Sequence, residues 1–130
     1  MVRGIIIGHG DFAKAMVATA EHIVGEQTGL AIVSNRGCSC DSLAENIADI
    51  IRHDDLANAI IFLDLPGGSC TISCYKLLKD YPDLNIISGV NLPMLIEFFM
   101  LREKHPAREL IPILLKKGRE NIIQLRSKHE

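Results

Sequence analysis

The sequence predicts an α/β fold: a mostly parallel central sheet with helices packed on both faces. Three observations carry this. Short, continuous apolar runs alternate with stretches of helical period along the whole chain. Most of the runs end in a glycine-bearing or polar loop that leads into the next helix. And 130 residues with 48% apolar content, without linker or internal repeat, are the size of one well-buried domain, 1–130. The order read from the chain is βαβαβαβ, two helices, then a final strand.

Ile5 to Ile7 is the first strand, closed by Gly8-His9-Gly10. A helix follows from Phe12 to Val24, with Phe12, Ala15, Met16, Ala20 and Ile23 at the spacing of one face and Gly25 as its stop. Leu30 to Val33 is the second strand, and Ser34-Asn35-Arg36-Gly37 its loop. Asp41 or Ser42 caps the next helix, with Glu45 placed to complete a capping box on Ser42. That helix runs through Leu43, Ile47, Ile50 and Ile51 and ends near His53-Asp54. Ala59 to Leu63 is apolar throughout, as befits a central parallel strand. It ends in Asp64-Leu65-Pro66-Gly67-Gly68-Ser69, and a helix follows from Cys70 to Lys79 with Ile72, Leu77 and Leu78 toward the core. Leu84 to Ile87 is the fourth strand. Asn91-Leu92-Pro93 opens a helix from Met94 to about Arg102, with proline early, where it is tolerated. Ala107 to Lys117 is the last helix, with a kink or boundary expected at Pro112 and a stop at Gly118. Asn121 to Leu125 is a weak, more polar fifth strand, suited to the edge of its own sheet or of a partner's.

Composition excludes several classes. No tract reaches the roughly 18 apolar residues of a membrane span, and the N-terminus lacks the layout of a signal peptide, so a cytoplasmic protein is expected. A formal charge of −2 without a basic block, no Trp and only 5% aromatic residues argue against nucleic acid as a partner. The four cysteines, Cys38-x-Cys40 and Cys70-x3-Cys74, match no common zinc template and are expected as free thiols. No metal and no other cofactor are expected, and there is no Walker motif, dinucleotide fingerprint or nucleophile elbow.

The chemistry gathers at two strand ends. In open α/β sheets ligands bind at the carboxyl ends of the strands. The first strand delivers His9 there, and the third delivers Asp64. If the two strands are neighbours, a carboxylate hydrogen-bonded to one ring nitrogen fixes the tautomer and leaves the other nitrogen free to attack. Gly10, Gly67 and Gly68 let backbone amides approach an oxyanion, and Ser69 adds a hydroxyl at the head of a helix. Together these form a cradle for a phosphoryl group on histidine. The plainer alternatives are a turn histidine, a capping Asp64, an ordinary Gly-Gly turn and an N-cap serine. His22, His53, His105 and His129 read as surface residues.

Gly8-His9-Gly10-Asp11-Phe12-Ala13, Asp64-Leu65-Pro66-Gly67-Gly68-Ser69 and Gly89-Val90-Asn91-Leu92-Pro93-Met94-Leu95, in this order and at these separations, resemble the enzyme IIA domain of the mannose-type sugar phosphotransferase system. Gly118-Arg119-Glu120 is similar as well. The resemblance implies a phosphorelay protein that accepts a phosphoryl group from the phosphocarrier HPr on His9 and passes it to an enzyme IIB partner. Contact with a membrane would then be indirect, through the transporter subunits. It implies Asp64 as the orienting carboxylate and Ser69 as the hydroxyl beside the phosphoryl group. It also implies four parallel strands in the order 2-1-3-4 with an antiparallel C-terminal edge strand, and a homodimer, with that strand exchanged in some members. The chain departs from the family after the Gly-Gly-Ser turn, where Cys70 replaces the usual proline. A regulatory or binding module on the same fold is the alternative function, and a thiol or metal protein a third.

Overall fold

The computed structural model describes residues 1–53 and 58–127. Four strands and five helices alternate: β1 (Gly4–Gly8), α1 (Phe12–Val24), β2 (Leu30–Ser34), α2 (Cys40–His53), β3 (Ile60–Leu63), α3 (Gly68–Asp80), β4 (Asn85–Ser88), α4 (Leu92–Leu101) and α5 (Ala107–Glu120). The strands form one sheet in the order β2-β1-β3-β4, and every pairing is parallel. Ile7 stands opposite Val33 on one side and Leu63 on the other, so the chain leaves β1, β2 and β3 at one level along the same edge.

Alternate residues of the strands feed two cores. Ile5, Ile7, Val33, Ile61 and Leu63 pack with Leu43, Ile47 and Ile51 of α2 and with Cys70, Cys74 and Leu77 of α3. Ile6, Ile60, Phe62 and Ile87 face Ala13, Val17 and Ala20 of α1, Met94, Leu95 and Phe98 of α4, and Leu110 and Leu114 of α5. Burial on both sides explains the unbroken apolar character of β1 and β3. Each fully buried Ile, Leu or Phe contributes about 1.5–3 kcal/mol. Phe62 and Phe98 meet edge to face, ring centroids 4.9 Å apart.

Several expectations need correction. The buried stripe of α1 is Ala13, Val17 and Ala20; Ala15 and Ile23 face solvent. The turn bond from Phe12 N–H to the His9 carbonyl (3.1 Å) sets the phase of the helix, and small residues bring it close to the sheet. α2 is capped one turn early. Ser39 and Ser42 each accept the other's backbone N–H, at 3.1 and 2.9 Å, a reciprocal box that does not involve Glu45. Asp54, in the expected helix end, and His129 lie outside the described residues. Ile72 of α3 is exposed, and Cys70, Ser73 and Cys74 take the buried side. α5 runs unbroken through Pro112, which lies on its exposed face, where solvent meets the carbonyl that loses its partner.

Gly118 does not stop α5; it is buried within it. A Cβ there would lie 2.7 Å from Met94 Cε, and the Gly118 carbonyl accepts a 2.9 Å bond from Asn91 Nδ2. This glycine is a point of close approach between α4 and α5. The helix therefore continues to Glu120, and residues 121–127 form no fifth strand in the single chain. No strand follows Ser88 among the described residues; Ile122, Ile123 and Leu125 are exposed and unpaired in the single chain.

Gly118→Val is expected to destabilise the protein by about 1–3 kcal/mol through overpacking. Gly118→Ala should cost less, because Met94 Cε is the end of a flexible chain and alanine gains up to about 1 kcal/mol in helix propensity. Urea unfolding of both variants checks this; a Val variant as stable as wild type would contradict the packing account.

Candidate active site

Because β1 lies beside β3 in register, the residues that follow the two strands meet. One oxygen of Asp64 holds His9 twice: Oδ2 accepts the His9 backbone N–H at 2.8 Å and lies 2.7 Å from ring Nδ1. The other oxygen accepts the Leu65 N–H at 2.9 Å. The Asp64 side chain is 5% exposed and that of His9 40%. Burial alone would push the Asp64 carboxyl up, but the N–H donors from His9 and Leu65 and the adjacent imidazole outweigh it and hold the group below its ordinary value. An ionised carboxylate at Nδ1 keeps the proton on that nitrogen and the lone pair on Nε2.

Nε2 faces the start of α3. A Cβ built on Gly68 would lie 3.2 Å from it, and Gly68 has a φ of +75°. Glycine is required here twice over, by the left-handed backbone and by the approach of the ring. Gly67 (φ +102°) is the N-cap and offers no side chain to cap α3. The first-turn N–H groups of α3, which begins at Gly68-Ser69-Cys70, have no intrahelical partner and carry the positive end of the helix dipole. Such a helix head favours an anion, and here it stands beside a ring nitrogen that keeps its lone pair.

Not every expected amide is available. The Gly67 N–H donates to Thr71 Oγ1 (3.0 Å), and the Gly10 N–H donates to Asn35 Oδ1 (3.1 Å). Ser69 sits at the second position of α3, and its Oγ accepts from Asn35 Nδ2 at 3.3 Å. Asn35 was visible in the sequence only as a loop residue. Its position directly after the second strand was the available signal, since that strand ends on the same edge. Ser34 joins the same loop, donating to the Gly10 carbonyl at 2.8 Å.

The four cysteines are free thiols. Cys70 Sγ lies 3.9 Å from His9 Nδ1. Burial, with the Asp64 charge second, pushes its thiol pKa up; burial lifts that of Cys74 to about 12. Both are neutral near pH 7. His9, Asp64 and Cys70 are a geometric group of three donors within 4.8 Å. The Asp64 oxygens already accept three N–H donors, however, and a neutral thiol is a poor ligand. Among the described residues, no helix is long and apolar enough to cross a membrane.

A profile of the family described as PTS system fructose IIA component matches residues 4–114. The mannose-specific EIIAB component of Escherichia coli is 31% identical over 132 residues, covering 98% of this chain and 41% of that protein. The chain thus spans less than half of this relative. The fructose-specific EIIA component of Bacillus subtilis is 29% identical, with 85% of this chain and 77% of that protein covered. An EIIA component from Streptococcus agalactiae superposes with a TM-score of 0.83 at 26% identity, over 95% of this chain and 97% of its own. The mannose/sorbose IIA subunit from Enterococcus faecalis shares the fold, with a TM-score of 0.86 at 24% identity, over 99% and 98%. With the profile spanning most of the sheet and helices that build the His9 edge, the chain belongs to the mannose-type EIIA family of the sugar phosphotransferase system.

Proposed function

We propose that the protein is a cytoplasmic phosphorelay component that accepts a phosphoryl group from phospho-HPr on His9 Nε2 and passes it to an enzyme IIB partner. The observation that carries this reading is the 2.7 Å contact of Nδ1 with Asp64, which leaves Nε2 as a lone pair facing the head of α3. In the transfer, the Nε2 lone pair attacks phosphorus as the donor's P–N bond breaks, and the donor imidazole leaves with that electron pair. The ring on this chain becomes cationic, and Asp64 balances the charge. The first-turn amides of α3 and the Ser69 hydroxyl share the charge of the phosphoryl oxygens. The same attack, now by the IIB partner on phosphorus, discharges His9.

We also propose a homodimer in which residues beyond α5 pair with a partner's sheet. Ile122, Ile123 and Leu125 are exposed, β4 is an edge strand, and a recess of about 190 Å³ lined by Thr71, Cys74, Tyr75, Leu78 and Ile86 opens beside it. Burying such side chains and an open strand edge favours association.

Intact-mass analysis after incubation with phosphoenolpyruvate, enzyme I and HPr should show one acid-labile phosphoryl adduct, lost in His9→Ala. Asp64→Asn should keep the fold but slow transfer by about 10²–10⁴-fold, because the amide oxygen that takes the place of Oδ2 carries no charge to balance the cationic ring. An adduct that persists in His9→Ala overturns the assignment.

The folded-state pKa of Asp64 lies below its unfolded value, so its charge stabilises the fold above the ordinary carboxylate value of about 3.9, and this contribution is lost as pH falls through the lower folded value. The difference in unfolding free energy between wild type and Asp64→Asn should be constant above about pH 5 and shrink below about pH 4. Urea titrations at stepped pH measure it; an undiminished gap at the acid end contradicts the account.

Removing residues 121–130 should convert a dimer to a monomer in sedimentation velocity. A full-length chain that is already monomeric at micromolar concentration excludes the proposed pairing.

A further inference from the structure

Asn35 closes the site from the β2 side, and its amide can be oriented without ambiguity. The Gly10 N–H can only donate, so the atom 3.1 Å from it is Oδ1. Nδ2 is then the atom 3.3 Å from Ser69 Oγ, and an amide nitrogen only donates. Ser69 Oγ is therefore the acceptor of that bond. The backbone around Asn35 is pinned to the end of β1: Asn35 N–H donates to the Gly8 carbonyl at 3.2 Å, and Ser34 Oγ to the Gly10 carbonyl at 2.8 Å. One side chain thus ties the loops that follow β1 and β2 to the head of α3.

A hydroxyl has one proton. With its oxygen committed as acceptor toward Asn35, the Ser69 proton is available to a different acceptor. The adjacent acceptor is the Cys70 sulfur, a weak one. A charged phosphoryl oxygen is far stronger. Ser69 directly follows Gly68, the residue against Nε2. From this geometry we propose that Asn35 is a positioning residue: it orients the Ser69 hydroxyl so that the O–H donates to the phosphoryl group carried on His9. The proposal rests on the relay reading above. It also says why an amide is needed. A carboxylate at position 35 would accept the Gly10 N–H equally well, but it would also accept the Ser69 O–H, reverse that hydroxyl, and set a negative charge facing the phosphoryl oxygens.

The test compares Asn35→Asp, Asn35→Ala, Ser69→Ala and the Asn35→Ala/Ser69→Ala double variant. The readouts are the rate of phosphoryl uptake from phospho-HPr, the ³¹P chemical shift of the phosphohistidine, and the amide ¹H–¹⁵N spectrum. Asn35→Asp keeps the bond to Gly10 and so serves as the variant that folds. It should slow uptake by about 100-fold, the low end of the cost of losing one pre-oriented donor, and move the ³¹P resonance. Asn35→Ala should slow uptake in the wild-type background but add nothing in the Ser69→Ala background, since both remove the same donor. A merely structural role would give equal losses in both backgrounds and an unmoved ³¹P resonance in Asn35→Asp, and that result overturns the proposal. So does uptake at the wild-type rate in Ser69→Ala. Wild-type protein that takes up no phosphoryl group from charged HPr refutes the relay reading itself; normal uptake by wild type and by every Asn35 variant refutes only the role of Asn35.

Discussion

The site depends on one carboxylate oxygen. Asp64 Oδ2 receives both the backbone N–H and the ring N–H of His9, so a single atom fixes the histidine's main chain, its ring orientation and its tautomer. A carboxylate 5% exposed is costly without partners. Three N–H donors make it tolerable, and hydrogen bonds to a charged group contribute about 1.5–3 kcal/mol each. That geometry exists only because β1 and β3 are adjacent and in register. The order of strands in the sheet and the tautomer of one imidazole are therefore one constraint seen at two scales.

The two ring nitrogens of His9 meet opposite environments. Nδ1 looks toward buried chemistry: a carboxylate and, at 3.9 Å, a neutral thiol. Nε2 looks toward the uncapped head of α3. Cys70 preserves this division. It is apolar enough to sit in the core with Ile7 and Leu63, and its lifted pKa keeps a second negative charge away from Asp64.

The strands were legible because a parallel strand covered on both faces is apolar at every position, as Ile5–Ile7 and Ile60–Leu63 are. His9 and Asp64 stood out because loops after such strands carry few polar residues that the fold itself needs. The resemblance to a known family then supplied the strand order, and with it their meeting. What stayed hidden depends on contacts distant in sequence. Periodicity placed Ala20 on the buried stripe of α1 and Phe12 and Met16 at its margin but missed Ala13 and Val17, because the turn bond at His9 sets the rotation of that helix. Gly118 carried the usual mark of a helix end, and only Met94 and Asn91, over 20 residues earlier, explain why it lies inside α5. Asn35 looked like any loop amide, because its two partners, Gly10 and Ser69, lie far from it along the chain. The apolar residues after Glu120 suggested a strand, but alternation cannot say whether a partner edge exists within the same chain.

The central place of β1 has a consequence for the order in which the chain can fold. Its two neighbours lie 26 and 56 residues further along, by the pairings Ile6 with Ile32 and with Phe62. The chain must therefore extend to Leu63 before β1 can be paired on both edges, and β3 is completed later still, by β4. Parallel pairings this distant in sequence cost loop entropy before they return any contact, which makes them slow. The His9–Asp64 contact closes when β1 and β3 pair, so the ring is not held in its tautomer before the sheet that positions it.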